Sequence, residues 1–232
     1  MIKQLITAGV IGTFAFTAHA QEIEMSETIY EIAIQEVQPG MEEAWAERRA
    51  AFLASLDGRE GNERDWTFPA FFTFPEPGPN PVYVGITRWS RLSDFAAASE
   101  ALMPTDTAAA FFETVNMQAF VQARPLDGEA FVLEDYINTP GQVLEVAVRR
   151  PLEGQRAAFD AGRNAFFGRV AEQPGYIFDR EFVTADGWQA VLIGWDSVEA
   201  FQAALGVLSQ SPEMQAFFGA AEIMAYQAAR VE

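Results

Sequence analysis

Apolar and polar positions alternate over residues 28–34 and 142–148, which predicts a half-buried strand at each place. Each run leads through a turn at Gly40 or Gly154 into a stretch whose large apolar residues, Trp45 and Phe52 or Phe159 and Phe166, recur at i, i+7 as on one helix face. In the later half, residues 175–183 and 188–195 predict a hairpin about Ala185-Asp186-Gly187. A second helix follows each of Trp89 and Trp195. The later one opens on Asp196-Ser197-Val198-Glu199, which resembles a capping box, and carries Phe201, Ala204, Leu205 and Leu208 along one face. Ser211-Pro212 starts a shorter helix, and a strand through Tyr226 closes the chain. The order βαββαβ is that of the ferredoxin-like unit.

The pattern occurs twice because the sequence repeats itself. From Ile29 onward it aligns without gaps on Val143 onward, pairing Glu31 with Glu145, Arg49 with Arg163 and Phe52 with Phe166. A second gap-free block pairs Trp89 with Trp195, Phe95 with Phe201 and Phe111-Phe112 with Phe217-Phe218. Alanine richness alone would not align the aromatics. The expected organisation is α+β: two tandem ferredoxin-like βαββαβ units over residues 28–124 and 142–232, joined by a linker over 125–141 with room for an extra strand at 131–136. The first unit carries additional residues within 57–81, rich in Pro and Gly, which read as a long loop around a short strand at 71–74. Its Trp66, Phe68, Phe71, Phe72 and Phe74 are expected either to cover the core or to close over a ligand cavity.

The N-terminus changes the compartment. Lys3, an apolar run from Leu5 to Thr17 and then Ala18-His19-Ala20 have the layout of a secretory signal peptide cleaved after Ala20, too short to span a bilayer. Residues 1–20 are thus expected to be removed and the protein to be periplasmic or secreted. The removed segment holds the one histidine and, in Lys3, the one lysine; there is no cysteine. The remaining cations are all arginine, and the formal net charge of the whole chain is −18. Such an acidic chain is not expected to bind nucleic acid or, once the leader is gone, a membrane. Without His, Cys or Lys there is no ordinary zinc site, Cys-His or Ser-His nucleophile, histidine-ligated haem or Schiff base. No EF-hand spacing occurs either, so neither metal nor cofactor is expected.

Each half resembles the antibiotic biosynthesis monooxygenase family of the dimeric α+β barrel superfamily. The later half is closer, through the V-x-x-P-L-E-G turn, the strand Q-P-G-Y-I-F-D-R-E-F and G-W-D-S-V-E-A-F entering the second helix. The resemblance implies that the two units pair their sheets into an intramolecular dimeric α+β barrel, a pseudo-dimer that is itself a monomer. It also implies cofactor-independent chemistry on a small aromatic or quinone-like compound. The departures are specific. Where many members have a histidine this chain has Ala98 and Ala204, and where haem-degrading relatives place an axial histidine it has Phe112 and Phe218. The frequent Glu two residues before the Trp is Thr87 or Ile193, and the first-strand Asn of the haem-degrading relatives is missing.

Glu31 and Glu145 interrupt apolar strands at equivalent places. If the larger apolar face packs on the helices, both point into the barrel, where desolvation raises a carboxyl pKa and makes it a candidate base; the alternative is a solvated or Arg-paired acid at the barrel mouth. Arg49 and Arg163 lie on the apolar side of the first helix of each unit, as structural anchors or anion recognisers. Trp89, Trp195 and Tyr176 are further candidates for lining a ligand site, the tryptophans with a competing role as core plugs, and Tyr83 is a weaker one. Two functions stay open: an exported monooxygenase-like enzyme, or a non-catalytic module that binds a small hydrophobic molecule or a protein partner. A closed cavity inside the barrel that includes Glu31 or Glu145 would favour a small-molecule role, whereas a filled interior would leave a structural or partner-binding one. Any site is expected to be asymmetric and to involve the 57–81 segment.

Overall fold

The computed structural model describes residue 24 and residues 27–74 and 78–231; the expected leader lies outside them. The first half forms β1 (Ile29–Val37), α1 (Glu42–Ala54), β2 (Asn62–Phe74), β3 (Val82–Trp89), α2 (Leu92–Leu102), α3 (Asp106–Phe112) and β4 (Val115–Pro125). The second forms β5 (Val143–Pro151), α4 (Arg156–Ala171), β6 (Tyr176–Thr184), β7 (Gln189–Trp195), α5 (Val198–Leu208), α6 (Pro212–Gly219) and β8 (Ala221–Arg230). The strands close into an antiparallel barrel in the order β1-β3-β2-β8-β5-β7-β6-β4. The order β4-β1-β3-β2 therefore recurs as β8-β5-β7-β6, and the pairs β2–β8 and β4–β6 close the ring.

Local chemistry sets the element ends. Gly40 and Gly154 turn the chain into α1 and α4 at φ of +75° and +72°, a conformation open to glycine at little cost. Ser197 and Ser211 cap α5 and α6, each hydroxyl accepting a backbone N–H at 3.1 Å. β1 and β5 outrun their expected ends because a bulge opposite β4 or β8, after Ile34 or Val148, lets pairing continue.

Three expectations are corrected. Residues 62–74 form one continuous strand rather than a loop around a short one. It pairs with β3 as far as Pro69 and then crosses to β8 from Ala70 to Phe74. Proline fits where the strand changes partner. The extra strand at 131–136 is absent: a closed barrel offers no free edge, so the alternating residues Phe131, Leu133 and Ile137 instead fold around a 3-10 turn (Leu133–Asp135) and bury themselves in the barrel cluster. Third, the barrel interior is filled, by Tyr30, Ile32, Ile34, Leu144, Val146 and Val148 together with Phe178, Phe182 and Trp188. An eight-stranded barrel is just wide enough to be filled by side chains, so the bulkier strand face goes inward. Glu31 and Glu145 consequently face the helices, beside the small Ala33 and Ala147.

Candidate functional site

Between the outer sheet face of the first half and α1, α2 and α3 lies a cavity of about 50 Å³. Glu31, Gln35, Arg49, Thr87, Trp89 and Ser99 supply its polar lining, and Phe52, Leu53, Phe95, Met103, Met117 and Phe120 are among its apolar walls. It exists because the facing residues are small: Ala33 on β1, Gly85 on β3 and Ala98 on α2. A Cβ on Gly85 would come within 2.9 Å of the Gln35 amide nitrogen.

Glu31 is surrounded by protein yet keeps some solvent contact through the cavity. Burial, then the negative charge of Asp65, raise its pKa to about 7. The Trp89 indole works against them, but its N–H has no hydrogen-bond partner among the described residues. Arg49 approaches the Trp45 ring at 5.8 Å and leaves Nε unpartnered among the described residues. Burial lowers its pKa to about 10, with Asp65 opposing, so it stays cationic at neutral pH.

The equivalent space behind β5 is only about 10 Å³. The register of β1 on β3 recurs in β5 on β7, and the helices of the two halves start at corresponding residues, which matches the halves position by position. Val191 replaces Gly85, Ile193 replaces Thr87, Leu205 replaces Ser99 and Met214 replaces Ala108. Glu145 is held: Trp195 Nε1 donates to it at 2.8 Å, beside the Tyr226 phenol that replaces Phe120. Burial raises the Glu145 pKa to about 7, with Trp195 and Tyr226 stabilising the charged form. Arg163 does not face a cavity. It shares Glu181 with the buried Arg149, at 3.5 and 2.5 Å. Arg149 lies against Phe167 and Phe217, with ring centroids at 5.1 and 5.3 Å. Gln35 and Thr67 occupy the corresponding places in the first half.

The structure thus brings Glu31, Arg49 and Trp89 together at one cavity, and keeps Glu145 and Trp195 as a closed pair. Tyr176 reaches neither cavity; its hydroxyl donates to Asp179 and its ring meets Trp195 edge-on at 6.1 Å. Tyr83 stacks on Trp45 at 3.8 Å. The aromatics of β2 do not form a lid over the open cavity. Phe68 enters the barrel core, while Phe71 and Phe72 pack on Phe201, and Phe72 and Phe74 on Tyr226, in the second half. No sequence signal marks Asp65, Gln35 or Ser99: the Pro- and Gly-rich surroundings of Asp65 have the composition of a loop although it lies on β2, and Thr87 stands out in the sequence only where the family has a glutamate.

No family model matches the sequence, and no curated protein is similar to it in sequence. Solved structures are similar in fold. An anthrone oxidase-like protein superposes with a TM-score of 0.56 at 14% identity, over 89% of this chain and 92% of its own. A provisional monooxygenase of Fusobacterium nucleatum gives 0.53 at 7% identity, over 90% and 94%. A variant of the chlorite dismutase from Candidatus Nitrospira defluvii gives 0.51 at 10% identity, over 90% and 93%. These likenesses establish a shared α+β barrel fold.

Proposed function

We propose that the first-half cavity is the active centre of a cofactor-independent oxygenase acting on a small aromatic or quinone-like compound. The observation that carries this reading is Glu31, a carboxyl poised near neutral pH on an unfilled, aromatic-walled cavity whose counterpart in the other half is filled. Glu31 would take a proton from an activated ring CH₂ or phenol, and Arg49 would balance the resulting oxyanion. For a CH₂ group, the carbanion then reduces dioxygen: one oxygen atom stays as a ring carbonyl and the other leaves as water, both hydrogens of the CH₂ ending in that water. The cavity as it stands holds a molecule the size of dioxygen. An aromatic substrate enters as the flexible Met103 and Met117 move aside.

Oxygen uptake with anthrone and with monocyclic hydroquinones tests the proposal. Glu31→Gln is expected to lose about 10²–10⁴-fold in turnover, while Glu145→Gln stays within about twofold of wild type. Equal activity in wild type and Glu31→Gln would overturn it. The filled barrel interior, the small size of the cavity outside it and the absence of the family's histidines favour a second reading, a non-catalytic module that binds a small hydrophobic molecule or a protein partner. It predicts ligand-dependent quenching of tryptophan fluorescence with no oxygen uptake. The proposal includes export, with a mature N-terminus at Gln21 by mass spectrometry. It also takes the halves to be tandem ferredoxin-like copies forming a monomeric pseudo-dimer, which sedimentation would report as one chain per particle.

A further inference from the structure

The register of three adjacent strands sets three polar side chains in one row. Glu31 on β1 lies directly opposite Thr87 on β3, and Thr87 lies directly opposite Asp65 on β2. Directly opposed residues share a sheet face, with Cβ atoms about 5 Å apart. Glu31 lines the cavity, Thr87 is buried, and Asp65 retains contact with solvent. The Thr87 hydroxyl donates to Asp65 Oδ1 at 2.6 Å, which leaves its oxygen lone pairs free to accept from the Glu31 side.

We propose that Glu31, Thr87 and Asp65 form a proton path between the cavity and solvent, with the Thr87 hydroxyl as relay and Asp65 as the exchange port. In one transfer, protonated Glu31 gives its proton to Thr87 Oγ1 while Thr87 gives its own to Asp65. The hydroxyl is regenerated, and Asp65 releases the proton to water. The inference rests on Glu31 being the base, which must return to the carboxylate before the next turnover. The row lets the proton it holds exchange with solvent while the product water takes up an equivalent one, so that the turnover stays proton-neutral. Asp65 and Arg49 are the charged groups beside this row. Asp65 also acts on Glu31 through its charge, and Arg49 lines the same cavity. The second half shows the row interrupted: Glu145 and Asp179 flank Ile193, and Asp179 accepts from Tyr176 instead. Ile193 is 2% exposed, so this fold accommodates an aliphatic side chain at that place.

The test needs no substrate. In protein labelled with ¹³C at the glutamate carboxyl, the Glu31 resonance is identified by its loss in Glu31→Gln and followed near its midpoint. Wild type is expected to show one averaged line. Thr87→Val and Asp65→Asn are expected to slow exchange by about tenfold or more, broadening or splitting the line, and Thr87→Ser to restore it. Fast averaging in Thr87→Val, with the fold intact by amide spectra, overturns the path. A slowed Thr87→Val line together with equal oxygen uptake in wild type and Glu31→Gln would instead retain the path and remove Glu31 as the oxygenase base.

Discussion

The two halves carry the same glutamate, arginine and tryptophan on the same elements, yet only the first keeps an open space around them. In the second half, larger residues fill the space, Trp195 donates to Glu145 at 2.8 Å, and Glu181 draws Arg149 and Arg163 into one ion network. In the first half Glu31 and Arg49 face a cavity of about 50 Å³. A buried carboxyl whose donors are in place is a structural element, whereas one that meets empty volume can meet a ligand. The difference also extends across the seam. The extended β2 of the first half lays Phe71 and Phe72 on Phe201, so one half supplies aromatic cover to the other.

The largest effect on stability should come from breaking that cover. Phe201 is 2% exposed and meets Phe71, Phe72 and Trp195, so Phe201→Ala is expected to cost about 3–5 kcal/mol. The equivalent Phe95 is partly exposed and meets Trp89, and Phe95→Ala should cost about half as much, measured by urea unfolding. Equal losses would mean that β2 gives the second half no special support.

The next effect is shared by both halves and isolates chemistry from titration. Native Glu31 and Glu145 have pKa values raised to about 7, above the unfolded value of 4.5. The native state therefore binds more protons between these values. The stability each carboxyl contributes is full below about pH 4.5 and lost as pH rises through about 7. For Glu31 the loss should be about 2 kcal/mol, solvent contact in the cavity holding it below the full linkage value. Glu31→Gln and Glu145→Gln should each flatten the fall in stability between about pH 5 and pH 8, while only the first removes turnover. An unchanged slope in Glu31→Gln would show that Glu31 ionises as an ordinary carboxylate.

The smallest effect separates the tryptophans. Both are 1% exposed, but the Trp195 N–H is bonded and the Trp89 N–H has no partner among the described residues. Trp195→Phe should therefore cost about 1–2 kcal/mol more than Trp89→Phe in thermal unfolding. Equal costs would indicate that Trp89 finds a partner in solution.

Element order was legible because strands and helices impose periods of two and 3.6 on apolar residues, and the alignment of the two stretches set each weak signal beside a matching one. Proline misled at β2. The aromatic, Pro-rich stretch reads as a loop in isolation, but Pro69 lies near where the strand passes from β3 to β8. At the site, the alternation correctly put Glu31, Glu145, Ala33 and Ala147 on one face. It could not tell which face the barrel encloses, and the wrong one was expected inside. The β2 aromatics lie over the filled space of the second half rather than the open one of the first.

The sequence by itself determined the order of elements, the equivalence of the paired glutamates and arginines, and the loss of every histidine, lysine and cysteine from the chain beyond residue 20, since these follow from composition and short-range periodicity. Only the tertiary structure decided that the barrel is filled, that Glu31 meets open volume while Glu145 meets Trp195, and that Thr87 stands between Glu31 and Asp65 in the strand register. Those outcomes depend on barrel closure, strand register and the volumes of residues far apart in the chain. None of these leaves a local pattern.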